Sequence, residues 1–153
     1  MANPKDDHIV ISVDMSENSR RAVVYAARML SVVPGLKATL LHVIHALDED
    51  FFPSPKERDR WCKAARTKVD ARMSAYRHLM IAAGCPPDNV LIQIVEGDGP
   101  SLANLILTEL GRLNAGTVVL GRQGLSRKEE FLFGSVSRQI VSHIRDCTVW
   151  VVQ

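Results

Sequence analysis

The sequence predicts an open α/β sheet of parallel strands, doubly wound with helices on both faces. Short apolar, β-branched runs alternate along the whole chain with longer segments whose apolar residues recur every three or four positions. Continuous apolar runs of this kind are typical of parallel strands that are buried on both faces. Neither a repeat nor a low-complexity linker interrupts the alternation, so residues 1–153 are predicted to form a single domain.

The chain begins with a predicted βαβ unit. Residues 8–13 read HIVISV and end at Asp14, which indicates a buried strand. Ser16 is the favoured N-cap of the next helix, while Asp14 is open to two interpretations, as a helix cap or as a site residue. A Pro-Gly pair ends that helix, and residues 37–45 form the second strand. One helix between two strands predicts a right-handed crossover and parallel pairing.

A long helix is predicted from about residue 56 to residue 83. It follows an acidic, aromatic and proline-rich loop at 46–55, the one candidate insertion. The apolar residues of the helix recur at steps of three and four, and we interpret the resulting stripe as core rather than as a ligand site. The members of the stripe are Trp61, Ala65, Val69, Met73, Tyr76 and Met80.

Three further strands and two helices complete the predicted sheet. Residues 90–95 form the third strand, and a glycine-rich turn leads from it into a helix with Pro100 near its first position. The fourth strand, 118–120, and the fifth, 148–152, lie on either side of the last helix. In such sheets ligands bind beyond the carboxyl ends of the strands, where the strand order reverses. Asp14 would therefore share a crevice with residues that follow the fourth strand, if the first and fourth strands are neighbours.

Glycines punctuate the segment between the fourth strand and the last helix. Gly121 and Gly124 follow the strand, nine residues intervene, and Gly134 and Ser135 open the helix. Glycine lets the backbone approach an anion closely, and the free N–H groups of the first helical turn supply donors. The spacing differs from GxGxxG and lacks the GK[ST] of a P-loop. Turn formation alone explains it poorly, so it predicts a phosphate-binding loop.

The pattern G-2x-G-9x-G-[ST] resembles the ATP-binding signature of the universal stress protein family. The resemblance covers nearly the whole chain, in the segments HIVISVDMSENSRRA, LLHVIH, GLSRKEEFLFGSVSRQIV and DCTVWVV. Thr148, where many relatives have proline, is a minor departure. The resemblance implies a Rossmann-like fold of the adenine nucleotide alpha hydrolase type, with a five-stranded parallel sheet in order 3-2-1-4-5. It also implies a homodimer.

The resemblance further implies an ATP site. Ser12, Val13 and Asp14 would lie beside adenine and ribose, with Asp14 accepting hydrogen bonds from sugar hydroxyls. Val43 would meet adenine through its main chain. Mg²⁺ or Mn²⁺ would accompany the nucleotide, and no metal ligand is predicted in the protein. Gly121, Gly124, Gly134 and Ser135 would cradle the phosphates, with Leu120 before them and Val136 and Ser137 at the helix N-terminus. Arg122 and Arg127 stand at variable positions of the pattern, and their positive charge would favour a triphosphate.

The last strand predicts a partner. Val149, Trp150, Val151 and Val152 are apolar and lie at the edge of the sheet in the implied strand order. An uncovered apolar edge favours pairing with another strand. A homodimer formed through the C-terminal strand is the expected closed assembly.

Composition bears on compartment, partners and catalysis. The net charge of +2 is too weak to predict a nucleic-acid or membrane partner, and no apolar run reaches the roughly 18 residues of a membrane span. Three cysteines without CxxC spacing indicate reduced thiols in a cytoplasmic protein. His42 and His45, three apart on a strand, point to opposite faces and form no metal site. Nothing nominates a general base, so slow ATP hydrolysis is the most turnover we expect.

The favoured hypothesis is an ATP-binding universal stress protein, a nucleotide-dependent stress-response or regulatory module with an unknown protein partner. One alternative is a dimeric interaction protein on the same scaffold that binds no nucleotide and uses the loop at 46–55. The intact glycine signature counts against it. The other alternative is a slow ATPase, which loss of phosphate release in Asp14→Ala would favour.

Overall fold

The computed structural model of the protein describes residues 5–45, 51–122 and 135–153. These residues form a five-stranded, all-parallel sheet with helices on both faces, which confirms the predicted fold class. None of the helices in these ranges is long and apolar enough to cross a membrane. The strands are β1 His8–Ser12, β2 Lys37–His45, β3 Val90–Gly97, β4 Thr117–Gly121 and β5 Thr148–Val152. The helices are α1 Glu17–Leu30, α2 Pro55–Ala82, α3 Leu102–Arg112 and α4 Ser135–His143.

The strand order is β3-β2-β1-β4-β5, as the resemblance implied. The chain starts at the centre with β1, moves outward through β2 to β3, and then returns to β4 on the other side of β1. β1 and β4 pair in parallel from Ile9 beside Thr117 to Ser12 beside Leu120. The order therefore reverses between β1 and β4, and the connections leaving these two strands diverge above their carboxyl ends.

An apolar core lies on each face of the sheet. Helices α1 and α2 cover one core, and α3 and α4 cover the other. Successive side chains of β1 alternate between the two cores, with Ile9 and Ile11 in the first and Val10 in the second. In β4, Val119 and Val118 divide in the same way. This double burial explains why the central strands are continuous apolar runs.

Helix α2 has the predicted extent, but only the C-terminal part of its apolar stripe is buried in the core. Four residues of the stripe are buried, namely Val69, Met73, Tyr76 and Met80. Trp61 is 42% exposed, so its interpretation as core was wrong. A helix of 28 residues is about 42 Å long, whereas the nine residues of β2 span about 30 Å, so α2 extends beyond the sheet. Trp61 packs there against Phe52, with 5.6 Å between ring centroids.

Serine side chains cap the first three helices. Ser16, Ser54 and Ser101 each accept a hydrogen bond from the backbone N–H three residues later. The predicted cap at Ser16 is confirmed. Pro100, predicted near the first position of α3, lies immediately before the Ser101 cap, whose hydroxyl supplies the acceptor at the start of the helix.

Candidate functional site

A crevice opens at the carboxyl ends of β1 and β4, where the strand order reverses. Its lining comes from both strands, from the turn after β1, from β2, and from the helices α1, α3 and α4. The enclosed part of the crevice has a volume of ≈ 70 Å³. Eight residues predicted for the ATP site line it: Ser12, Val13, Asp14, Val43, Leu120, Gly121, Val136 and Ser137.

Asp14 is held in place by the first turn of α1. Its Oδ1 atom accepts hydrogen bonds from the Ser16 backbone N–H at 2.7 Å and from the Ser19 hydroxyl at 2.8 Å. The Asp14 backbone N–H in turn donates to Ser19 Oγ at 2.7 Å. Both side-chain bonds use Oδ1, and within the described residues Oδ2 accepts none. Asp14 therefore braces the turn that Ser16 caps and still presents one free oxygen.

The local environment keeps the Asp14 carboxyl ionised. Burial raises its pKa, but the hydrogen bonds from Ser16 and Ser19, together with the nearby His42, outweigh burial and hold the pKa below its usual range. An ionised carboxylate only accepts hydrogen bonds. Its free Oδ2 atom is therefore suited to a hydroxyl donor or a cation at neutral pH.

Strand β2 continues past the end of β1. The Val13 backbone N–H donates to the Leu41 carbonyl at 2.8 Å. The Val13 carbonyl instead accepts a hydrogen bond from Nδ1 of the His42 ring, at 2.8 Å. Peptide groups of a strand alternate in direction, so the main-chain groups of Val43 point to the same side as those of Leu41. They face the crevice beyond β1, with a donor and an acceptor side by side.

Gly121 brings the end of β4 against the start of α1. A Cβ atom at this position would lie 2.6 Å from the Asn18 carbonyl oxygen and 3.0 Å from the Ser19 backbone nitrogen. Any side chain would therefore push the first turn of α1 away from β4. Packing alone requires this glycine, whether or not a phosphate binds beside it.

The N-terminus of α4 closes the opposite side of the crevice. Val136 and Ser137 line the crevice, and Ile140 anchors the helix in the core with no exposed surface. Ser137 is buried, whereas Ser135 is exposed and lies outside the lining. The first backbone N–H groups of a helix have no intrahelical acceptor, so this end of α4 can receive an anion.

The remaining predicted residues do not line the crevice in the described part of the chain. Arg122 follows β4, and its backbone N–H donates to the Val152 carbonyl of β5 at 2.8 Å. Gly124, Arg127 and Gly134 lie outside the described residues, and their roles stay predictions. Across 5–45, 51–122 and 135–153, no group of three or more His, Cys, Asp or Glu side chains could hold a metal ion.

Four lining residues were missed from the sequence: Ser19, His42, Leu102 and Ile106. Ser19 had a local signal, because a serine five residues after Asp14 in a capping segment can bond back to it. Leu102 and Ile106 lie on the apolar face of α3, and the periodicity of that face does not reveal that it also borders the crevice. The bond between the His42 ring and Val13 has no sequence signal.

Solved structures of similar fold include universal stress proteins. UspA of Lactobacillus plantarum is 19% identical, with a TM-score of 0.75 over 99% of this chain and 100% of that chain. A universal stress protein in complex with cAMP is 18% identical, with a TM-score of 0.68 over 95% of each chain. The Archaeoglobus fulgidus protein in complex with dAMP is 16% identical, with a TM-score of 0.63 over 95% and 96% of the two chains.

Similarity at these identities establishes the fold alone. Comparison with curated proteins gives no match. The sequence itself matches the universal stress protein family over residues 7–153. That match spans every strand and helix, including the Asp14 turn and the segment between β4 and α4. The chain therefore belongs to the universal stress protein family.

Proposed function

We propose that this protein binds an adenine nucleotide, ATP in the first instance, in the crevice between β1 and β4. The observation that carries the proposal is the braced Asp14 carboxylate, whose free oxygen shares one crevice with the N-terminus of α4. A nucleoside phosphate needs both a hydrogen-bond acceptor for its sugar and donors for its phosphates. Relatives of similar fold were solved with cAMP and dAMP.

Each part of the nucleotide has a suitable counterpart. The main-chain donor and acceptor of Val43 suit the edge of adenine, and Asp14 Oδ2 suits the ribose hydroxyls. The N-terminus of α4, with Gly121 and the predicted Gly124 and Gly134, suits the phosphates. The enclosed ≈ 70 Å³ is small beside the 300 Å³ or more of typical ligand sites, so only part of the nucleotide would be enclosed there. Mg²⁺ or Mn²⁺ would be held chiefly by the phosphates.

The proposed role is regulatory binding in the cytoplasm with little or no turnover. The polar groups of the described crevice, the Asp14 carboxylate and the main chain around Val13 and Val43, suit binding and orienting a nucleotide. The output would pass through a homodimer formed at β5, where Val149, Trp150, Val151 and Val152 are partly exposed at the edge of the sheet. An exposed edge strand of this composition favours pairing with a second copy.

Calorimetry with Mg-ATP on matched variants tests the nucleotide site. Asp14→Asn retains an oxygen that can accept at the Oδ1 position but removes the charge, and we expect the affinity to fall by about tenfold or more. Asp59→Asn makes the same chemical change at an exposed position of α2 and should leave the affinity unchanged. Gly124→Val and Gly134→Asp should abolish binding in folded protein. Absence of heat with the wild type, or full affinity in Asp14→Asn and Gly124→Val, would refute the proposal.

A further inference from the structure

A second cavity lies between α1 and α2, on the outer side of the helical layer. This groove has a volume of ≈ 510 Å³ and is more open to solvent than the crevice at the strand ends. Its polar lining comes from Arg20 of α1 and from Lys68, Arg72 and Tyr76 of α2, and Met15 and Leu79 contribute apolar surface. None of these residues lines the crevice at the strand ends.

The groove carries positive charge that the described residues do not neutralise. Arg20 pairs with Glu17 one turn earlier on α1, at 3.5 Å, and both side chains are exposed. Neither Lys68 nor Arg72 has an acidic partner within 4 Å in the described part of the chain. Two cations on one wall of the groove are therefore available to an anionic ligand.

Tyr76 lies beneath these cations. Its side chain is only 3% exposed, and among the described residues its buried hydroxyl has no acceptor for its proton, although the nearby Arg72 guanidinium can donate to the hydroxyl oxygen. The Arg72 guanidinium lies 5.9 Å from the centroid of the Tyr76 ring, in a cation–π contact. Burial raises the pKa of Tyr76, and so does the negative charge of Asp14 and Glu17 nearby, whereas Arg72 opposes the shift. The hydroxyl therefore remains a donor at neutral pH. A buried donor without an acceptor is uncommon in proteins and is suited to an acceptor that arrives with a ligand.

We propose that this groove binds a small phosphorylated molecule, whose phosphate is held by Arg72 and Lys68 and hydrogen-bonded by the Tyr76 hydroxyl. A phosphate satisfies all three groups, because its oxygens match the guanidinium fork, attract the ammonium and accept the phenol proton. The remainder of the molecule would lie on the apolar surface of Met15 and Leu79. Binding would move the Arg72 side chain off the tyrosine ring and open the buried hydroxyl to the phosphate.

Inorganic pyrophosphate is the probe, titrated into the full chain and followed by NMR at about 0.15 M salt. The Tyr76 ring and the Met15 methyl group report the groove, while the backbone amides of Val43 and Ser137 report the crevice separately. We expect saturable shifts of the groove signals. Arg72→Gln and Tyr76→Phe should each weaken binding by about tenfold or more, since each removes a hydrogen bond to a charged group.

Two variants make the same chemical changes outside the groove. Arg60→Gln removes one arginine from the exposed surface of α2, and Tyr25→Phe removes a hydroxyl from the exposed face of α1. Both should leave the affinity within about twofold of the wild type. An equal loss in Arg60→Gln and Arg72→Gln would overturn the proposal, because it would show only diffuse attraction of the anion. Lack of saturable groove shifts up to about 10 mM pyrophosphate would also overturn it.

Discussion

The crevice at the strand ends and the groove between α1 and α2 differ in whether their polar side chains have hydrogen-bond or ion-pair partners. In the crevice, Asp14, Ser16 and Ser19 are joined by hydrogen bonds of 2.7–2.8 Å. In the groove, Arg72 has no acidic partner, and the buried Tyr76 hydroxyl has no acceptor within the described residues. Both cavities nevertheless border the start of α1, because Ser19 lines the crevice, and Met15 and Arg20 line the groove.

This difference separates a cavity organised by the fold from one whose polar groups remain unsatisfied. A preformed site loses little freedom when a ligand arrives, since its side chains are already fixed. A buried group without a partner destabilises the free protein until a ligand satisfies it. Disturbing the close-packed wall of the crevice should therefore destabilise the fold, whereas removing the unsatisfied hydroxyl of the groove should stabilise it. The opposite signs make the comparison testable by measurements of stability alone.

The largest effect is expected at the wall of the crevice. Gly121→Ala places a Cβ atom 2.6 Å from the Asn18 carbonyl, and because backbone surrounds the site, the free energy of unfolding should fall by about 2 kcal/mol. Gly111→Ala is the control. A Cβ atom at this position of α3 meets nothing within 4 Å, so that variant should gain about 0.5–1 kcal/mol from helix propensity. Denaturant unfolding checks both variants, and an unchanged stability in Gly121→Ala would refute the close approach.

An effect of the opposite sign is expected at the groove. Tyr76→Phe removes the unsatisfied hydroxyl but keeps the buried ring, so the free energy of unfolding should rise by about 1 kcal/mol. Tyr25 is 45% exposed, and Tyr25→Phe should change stability by less than about 0.5 kcal/mol. Thermal unfolding of the two variants measures the difference. Destabilisation by Tyr76→Phe would mean that the hydroxyl already has a partner in the folded protein.

The smallest effect concerns the charge of Asp14. Its pKa is lower in the folded protein than the usual value of about 3.9, so ionisation of this group favours folding at neutral pH. That contribution should be fully present above the usual pKa and disappear as the pH falls through the folded value. Because Asp14 is half-buried, we expect less than about 1 kcal/mol.

Unfolding of the wild type and Asp14→Asn between pH 7 and pH 3 measures this contribution. The advantage of the wild type should be constant down to about pH 5 and shrink below about pH 4. The amide side chain of the variant does not titrate, so the difference in stability between the two proteins reports the protonation of Asp14 alone. An advantage that grows on acidification would show that the folded environment disfavours the carboxylate.

Most of the fold could be predicted because its signals are local. Apolar runs marked the five strands, helical periodicity marked the four helices, and a serine followed by a helical pattern marked the cap at Ser16. The error at Trp61 has a physical reason. Periodicity shows which side of α2 is apolar, but it does not show where the sheet below that helix ends.

The candidate site was predicted less completely. Asp14 and Gly121 could be placed at strand ends from the sequence, and the resemblance supplied Val43, Val136 and Ser137, all of which line the crevice. The contribution of α3 was missed. A side chain on a helix can serve the core and border a cavity at once, and only the position of the neighbouring elements distinguishes the two.

By itself, the sequence determined the order of strands and helices along the chain, the cap at Ser16 and the polar residue, Asp14, that follows β1. These features depend on a few neighbouring positions, through backbone preference, side-chain period and local hydrogen bonds. Three features came only from the tertiary structure. Position 121 must be glycine, the His42 ring is hydrogen-bonded to the Val13 carbonyl, and the Tyr76 hydroxyl has no acceptor in the described residues. Those outcomes depend on groups from separate elements meeting at a few ångströms, a distance that packing of the whole sheet sets.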